Sequence, residues 1–371
     1  MASDVEKKTM LPNMENRTLM ARLGLPNWDS PEGRVWVNRL RDNVPFIAIT
    51  LVILLFWFIS GDRFMSVRNW TFIAQQTPVL LLLAFAQLLV VTTGSIDISV
   101  GSNLGFSAYM AALGMLWFGE LGFIVGIFAA MLIGVLNGAI FSLFKISSFV
   151  TTLAMLIIVR AVLVIVSDGR SIYVSDQPMS NSNITSIEAK WLLDLGQFPQ
   201  ILYFTVLVAV LLWIVYEKTV FGQQLKALGG NEKVLRLTGI SVNWFKIQVF
   251  AAAGFMVGLA SFINLARSGA ATVQAGEMLE LDAIAAVALG GTVLTGGYGS
   301  VLKTVVGALT LTIVANGLTI AGVPPSWSRI ARGLLLIIAI AISLNRKQID
   351  IVKATIAATK LSRFKPIAGK P

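Results

Sequence analysis

Long apolar runs alternate with short polar breaks along most of the chain. A spanning helix needs about 20 mostly apolar residues. Runs of roughly that length lie at 44–60, 71–92, 100–118, 121–144, 148–167, 201–216, 247–266, 279–294, 301–322 and 328–345. The pattern predicts an all-α polytopic membrane protein with about ten transmembrane helices. The eighth run is short and fits a broken or half-inserted helix. Flanking it all are a polar segment, 1–43, with Pro12, Gly24, Pro26 and Pro31, and a basic tail, 346–371. No stretch resembles a cleaved signal peptide.

Polar residues inside the runs cost free energy unless they find a partner or water. Gln75, Gln76, Gln87, Asn103, Asn137, Arg160, Asn264 and Asn316 are of this kind. They either bond between helices or line a path for a hydrophilic solute. Gln75, Gln76, Asn103, Asn137, Arg160 and Asn316 are the candidates for such a path, with Arg160 placed to reach the outer face or a carboxylate. Asp97 sits in the decapeptide TTGSIDISVG, residues 92–101, between the second and third runs. There Gly94 can close one helix. Ser95 or Asp97 can cap the next, where a carboxylate meets free amide N–H groups. Gly101 then opens a close-packed face with Gly105. Gly122/Gly126, Gly134/Gly138 and Gly254/Gly258 repeat that spacing and predict tight packing of the third, fourth and seventh spans.

Composition sharpens the class. Of 371 residues, 56% are hydrophobic and 13% charged, about half the charged share of a soluble domain. There is no cysteine and no histidine. That excludes disulfides, thiolate and imidazole metal sites, and Ser-His or Cys-His nucleophiles. No cofactor is called for. Charge then orients the spans. The net charge is +10, which suits either nucleic acid or loops held on the cytoplasmic side. Seven lysines and arginines precede residue 44, five lie within 218–246 and seven follow residue 345, with Lys145 and Lys303 between spans on the same side. Arg63, Arg68, Arg170, Lys190, Arg267, Arg329 and Arg332 fall on the other. This matches the positive-inside rule with both ends cytoplasmic, and points away from nucleic acid. Residues 29–42 begin with Ser30 and Pro31 as a helix start. Trp36 and Leu40 share a face among Arg34, Arg39 and Arg41, as in an interfacial helix on anionic lipid.

Two further segments bear on function. GGYGSVLKT, 296–304, imitates a phosphate-cradling loop, but residue 302 is Leu where that loop needs Gly. It reads as a tight turn, so any ATP used is bound by another polypeptide. In the internal loop 217–246, Gly229 and Gly230 break the chain, Asn231 can cap a helix with Glu232 in its first turn, and Gly239 can end it. About eight residues result. Val234, Leu235, Leu237 and Ile240 supply an apolar face and Lys233 and Arg236 flank it, as in a helix that fits a partner's groove. A helix covering the bundle end is the alternative.

The chain resembles the permease subunit of bacterial sugar ABC importers of the ribose/xylose/galactose type, within the branched-chain amino acid/sugar permease superfamily. Four segments carry the resemblance: TTGSIDISVG; FVTTLAMLIIVRA, 149–161; ALGGNEKVLRLTGISV, 227–242; and ELDAIAAVALGGTVLTGGYGS, 280–300. The resemblance implies a permease domain over 44–345, built as two inverted five-helix halves. It implies a second permease subunit, a cytoplasmic ABC ATPase and a periplasmic solute-binding protein as partners, besides membrane lipids. It implies that Gly230, Asn231, Glu232, Val234, Leu235, Arg236, Leu237, Thr238, Gly239 and Ile240 couple to the ATPase. It also groups Asp282, Gly290 and Gly291 with Gly94, Asp97 and Gly101 as helix breaks or hinges. The expected solute is a monosaccharide delivered by the binding protein, in a bacterial inner membrane. A branched-chain amino acid or other polar-solute ABC permease is the alternative. A self-sufficient secondary carrier fits less well, because no Asp or Glu lies near the centre of a span.

Overall fold

A computed structural model describes residues 31–177 and 185–343. The predicted Ser30 cap, the N-terminal residues before it and the basic tail 346–371 lie outside the described residues. The chain divides into two units, 1–48 and 49–371.

Among the described residues, helices follow the apolar runs closely. They are α1 (Pro31–Ser60), α2 (Asp62–Met65), α3 (Val67–Thr92), α4 (Val100–Phe118), α5 (Phe123–Leu143), α6 (Ser148–Ser167), α7 (Lys190–Leu195), α8 (Gln200–Lys218), α9 (Val220–Gly230), α10 (Glu232–Leu237), α11 (Val242–Ser268), α12 (Leu279–Leu289), α13 (Val301–Ile320) and α14 (Pro325–Ser343). Seven are long and apolar enough to cross a membrane, among them α3, α6, α8, α11 and α13. The chain is an all-α, polytopic membrane protein. Three of the ten predicted spans fall outside that set. The third, α4, is diluted by serine, asparagine and glycine. The eighth is only the 11-residue α12, short as its run predicted. The tenth is α14. A separate interfacial helix over 29–42 is not seen: α1 runs unbroken through Pro45. Pro45 lies in the interior of α1 and has no N–H, so the helix ladder lacks its bond there.

Burial inverts along the bundle as lipid requires. From Val79 to Val91 every residue of α3 is buried, because neighbours surround it on all sides. In α1, α6 and α8 one face packs and the other stays bare and apolar: Phe58, Ile165 and Leu207 are exposed. Lipid tails are as apolar as leucine, so such faces cost nothing in a bilayer. The closest helix pair is α5 against α11. A Cβ at Gly138 would lie 2.8 Å from Ile247 Cα, and one at Gly258 would lie 2.8 Å from Ile127 Cα. That bears out the tight packing predicted from the glycine spacing. At one end of the bundle the segment between α6 and α8 contains two short strands. β1 (Ile172–Ser175) pairs in parallel with β2 (Ser186–Glu188) and antiparallel with β3 (Ala270–Ala271). The helices α9 and α10 lie at the opposite end.

Candidate functional site

At the end of α3 the helix closes on Gly94, at φ +78°, as its sequence predicted. Residues 95–99 then run non-helical through the interior, with Asp97 only 4% exposed. Their polar groups are met by side chains of the break itself and of three helices, α3, α5 and α6. Asp97 Oδ1 accepts from the Ser99 amide at 2.8 Å and from Ser99 Oγ at 2.7 Å. Asn137 Nδ2 donates to Ser99 Oγ at 2.8 Å, and Gln87 Nε2 donates to the Asp97 carbonyl. The Ile96 and Ile98 amides donate to Ser148 Oγ and Thr152 Oγ1. The expected cap differs in position. Helix α4 starts after Ser99, whose side chain does not cap it. Asp97, two residues before, bonds the amide and hydroxyl of Ser99 and no amide of α4, and so closes a turn instead of the helix. Gly101 lies against Gly276 and the Glu280 side chain.

The internal loop forms its short helix as predicted, with three differences. Helix α9 continues through Gly229 and Gly230, so the break comes at Asn231. There Asn231 Oδ1 accepts from the amides of Lys233 (3.0 Å) and Val234 (3.3 Å), the expected cap. Helix α10 has six residues rather than eight, and Gly239 ends it at φ +84°. The apolar face divides: Leu235 is 3% exposed and packs inward, whereas Leu237 is 87% exposed and Val234 is also bare. Residues one and two apart point to different sides of a helix. The hydrogen bond from Lys246 (2.9 Å) and the nearby Arg236 hold the Glu232 carboxyl below the usual carboxylate range.

This helix is rooted in the break through bare backbone. A Cβ on Gly229 would collide with the Thr92 carbonyl and the Gly297 amide. Gly297, at φ +84°, donates its N–H to Thr92 O at 2.8 Å. Gly296 sits so close that a Cβ there would lie 2.6 Å from Gly94 N and 2.9 Å from Gly229 Cα. The Tyr216 and Thr92 hydroxyls bond at 2.9 Å. The base of α10, the end of α3 and the GGYG turn therefore meet at one glycine junction. Further along, Gly290 lies against the Lys303 carbonyl and Gly291 turns at φ +76°, between α12 and α13.

The polar residues of the spans differ in what they meet. Asn103 and Asn137 are buried between helices: Asn103 Nδ2 donates to Ala130 O and its Oδ1 accepts from Ser107, while the Asn137 Oδ1 has no hydrogen-bond partner among the described residues. Arg160 neither reaches outward nor pairs with a carboxylate. Its Nη1 donates to the carbonyls of Val273 and Ala275, each at 2.9 Å, holding the chain between β3 and α12. Gln75 bonds Gln197 on the exposed side. Gln76, one residue on, lines a cavity of about 250 Å³ with Asn264, Arg267, Asp282, Thr312 and Arg332, at the end bearing the sheet. Asp282 and Arg332 pair at 2.9 Å and also line a neighbouring cavity of about 210 Å³. Asn316 is buried with its Oδ1 unpartnered. Arg267 and Arg332 are the cavity residues that the apolar pattern passed over, since as arginines at span ends they served only to orient the chain. Among the described residues no cluster of acidic side chains could hold a metal ion.

Residues 69–340 match the family described as branched-chain amino acid transport system / permease component. The chain belongs to that family. The match takes in the polar break, the capped helix and the cavity. Among its relatives, this permease is 32% identical to the ribose import permease protein RbsC of Escherichia coli (strain K12), over 83% of its own length and 95% of the relative's. It is 30% identical to the fructose import permease protein FrcC of Rhizobium meliloti (81% and 84% covered) and to the xylose transport system permease protein XylH of Escherichia coli (strain K12) (80% and 90% covered). No solved structure matches the permease.

Proposed function

We infer that this permease is the membrane subunit of an ATP-binding-cassette importer and passes a monosaccharide across a bacterial inner membrane. The observation that carries the reading is the capped helix α10. It offers Leu237 and Val234 to solvent and is rooted by glycine backbone contacts in the break beside α3, so a push on α10 is felt inside the bundle. Such a helix suits the groove of a cytoplasmic ATPase, with Gly230 to Ile240 as the coupling element. Relatives named for ribose, fructose and xylose favour a sugar over the amino acid of the family's description.

The remaining parts follow. Ten spans with both ends cytoplasmic place α9 and α10 inside and the sheet outside, where a solute-binding protein docks. A second copy or a related permease completes the path. The packing supports two inverted halves. Helix α5 packs on α11 as α13 does on α3; α4 packs on α5, α6 and α11 as α12 does on α13, α14 and α3. Gly94, Asp97 and Gly101 in one half, and Asp282, Gly290 and Gly291 in the other, are where these halves flex.

Reconstitution with the ATPase and binding protein tests the function. Uptake of a pentose or hexose that requires ATP is expected; uptake of leucine and no sugar would overturn the sugar reading. Leu237→Asp should insert normally and lose co-purification with the ATPase. Undiminished co-purification would overturn the docking assignment.

A further inference from the structure

The cavity bounded by α3, α11, α12, α13 and α14 contains an unexplained charge. Arg267 lines it half-buried, its Nε is closed off from the surface, and among the described residues it has no hydrogen-bond or ion-pair partner. The adjacent Arg332 is already matched by Asp282. The side-chain amides of Gln76 and Asn264, on the same wall, also make no hydrogen bond among the described residues. Closing a guanidinium nitrogen off from water without a partner is costly, and the two amides turn their unused donors and acceptors into the same cavity. Native interiors keep such groups where something else completes them. By contrast, Gln87, Asn103, Asn137 and Arg160 each donate to a partner within the chain.

We propose that this cavity is the outer loading site for the sugar, with Arg267, Gln76 and Asn264 holding its hydroxyls. The proposal rests on the reading of the chain as a monosaccharide importer. The chemistry fits a neutral polyol. A guanidinium presents a planar fork of donors that spans two neighbouring hydroxyl oxygens, and an amide both donates and accepts, as a hydroxyl does. Val79, Leu80, Leu279 and Leu311 on the same wall suit the C–H face of a ring. A guanidinium alone would serve a carboxylate equally; the two free amides and the apolar wall select the neutral ring. At about 250 Å³ the cavity is just below the ~300–1,000 Å³ of pockets for drug-sized ligands, which suits one sugar unit. The Asp282–Arg332 pair lines this cavity and its neighbour, so it forms the wall past which the solute moves.

The chain has no cysteine, so single cysteines report cleanly. Arg267→Cys, Gln76→Cys and, as control, Gln75→Cys are each assembled with the ATPase and binding protein in proteoliposomes. Arg267→Cys should lose about tenfold or more of the uptake, the loss expected for a hydrogen bond to a charged group. Aminoethyl methanethiosulfonate, which returns a cation to that position, should restore part of it, and the sulfonatoethyl reagent should not. Sugar-loaded binding protein should slow labelling at positions 76 and 267 and leave position 75 unchanged. Arg267→Lys, which keeps the cation without the fork, should co-purify with the ATPase and transport at the same partly restored level as the aminoethylated cysteine, below wild type. Wild-type sugar uptake together with equal labelling in the presence and absence of sugar would overturn this site alone. So would equal rescue by both reagents. A wild-type importer that takes up no monosaccharide would overturn the site and the functional reading together.

Discussion

Two adjacent glycines make the sharpest test of how α10 is tied to the bundle. Gly229 and Gly230 are the last two residues of α9. A Cβ on Gly230 meets nothing within 4 Å, whereas one on Gly229 collides with the Thr92 carbonyl and the Gly297 amide and lies 3.0 Å from Thr92 C. All three are backbone atoms, which cannot rotate away as a side chain would. For Gly229→Ala three terms compete. Helix propensity favours alanine by about 1 kcal/mol. Overpacking opposes it by about 1–3 kcal/mol. Displacing Gly297 also weakens its 2.8 Å bond to Thr92 O, worth about 1 kcal/mol. The sum is a net destabilisation of about 1–3 kcal/mol at 229 and none at 230. Thermal unfolding of the purified permease, followed by detergent-phase size exclusion, should show a lower midpoint for Gly229→Ala and an unchanged or higher one for Gly230→Ala. ATP hydrolysis without sugar uptake should accompany the first only. Identical behaviour of the two variants would refute the junction.

Two more substitutions separate structural charge from functional charge. Arg160→Leu removes both bonds to Val273 and Ala275, so stability should fall by about 2–4 kcal/mol with sugar preference unchanged in whatever protein inserts; an altered preference measured by competition uptake would return Arg160 to the solute path. Asp97→Asn keeps an oxygen for the Ser99 amide and hydroxyl, and Asp97→Ala leaves both donors unmet at about 1–3 kcal/mol. Transport by the asparagine variant near wild type, with the alanine variant lost, is expected, and equal loss in both would assign the role to the charge itself.

Much of this protein was legible in one dimension. The spans follow from apolar runs because a backbone in lipid must bond within its own helix. The Asn231 cap, the Gly94 and Gly239 stops and the GGYG turn follow from local preferences that act over three or four residues. The Gly134/Gly138 and Gly254/Gly258 pairs announced close packing, though not that they would pack on each other.

Tertiary structure alone decided which polar side chain does what. Gln75 and Gln76 are neighbours of identical chemistry, yet one faces Gln197 and the other a cavity, because a helix turns about 100° per residue. Asp97 looked like a helix cap and instead closes a turn. Arg160 found its partners more than a hundred residues away, on carbonyls that no side-chain pattern displays. Leu235 and Leu237 parted company, one into the core and one into solvent. In each case the distinction rests on which surface lies opposite. A chain's own periodicity determines where a helix forms, and only the neighbouring helix determines what its side chains meet.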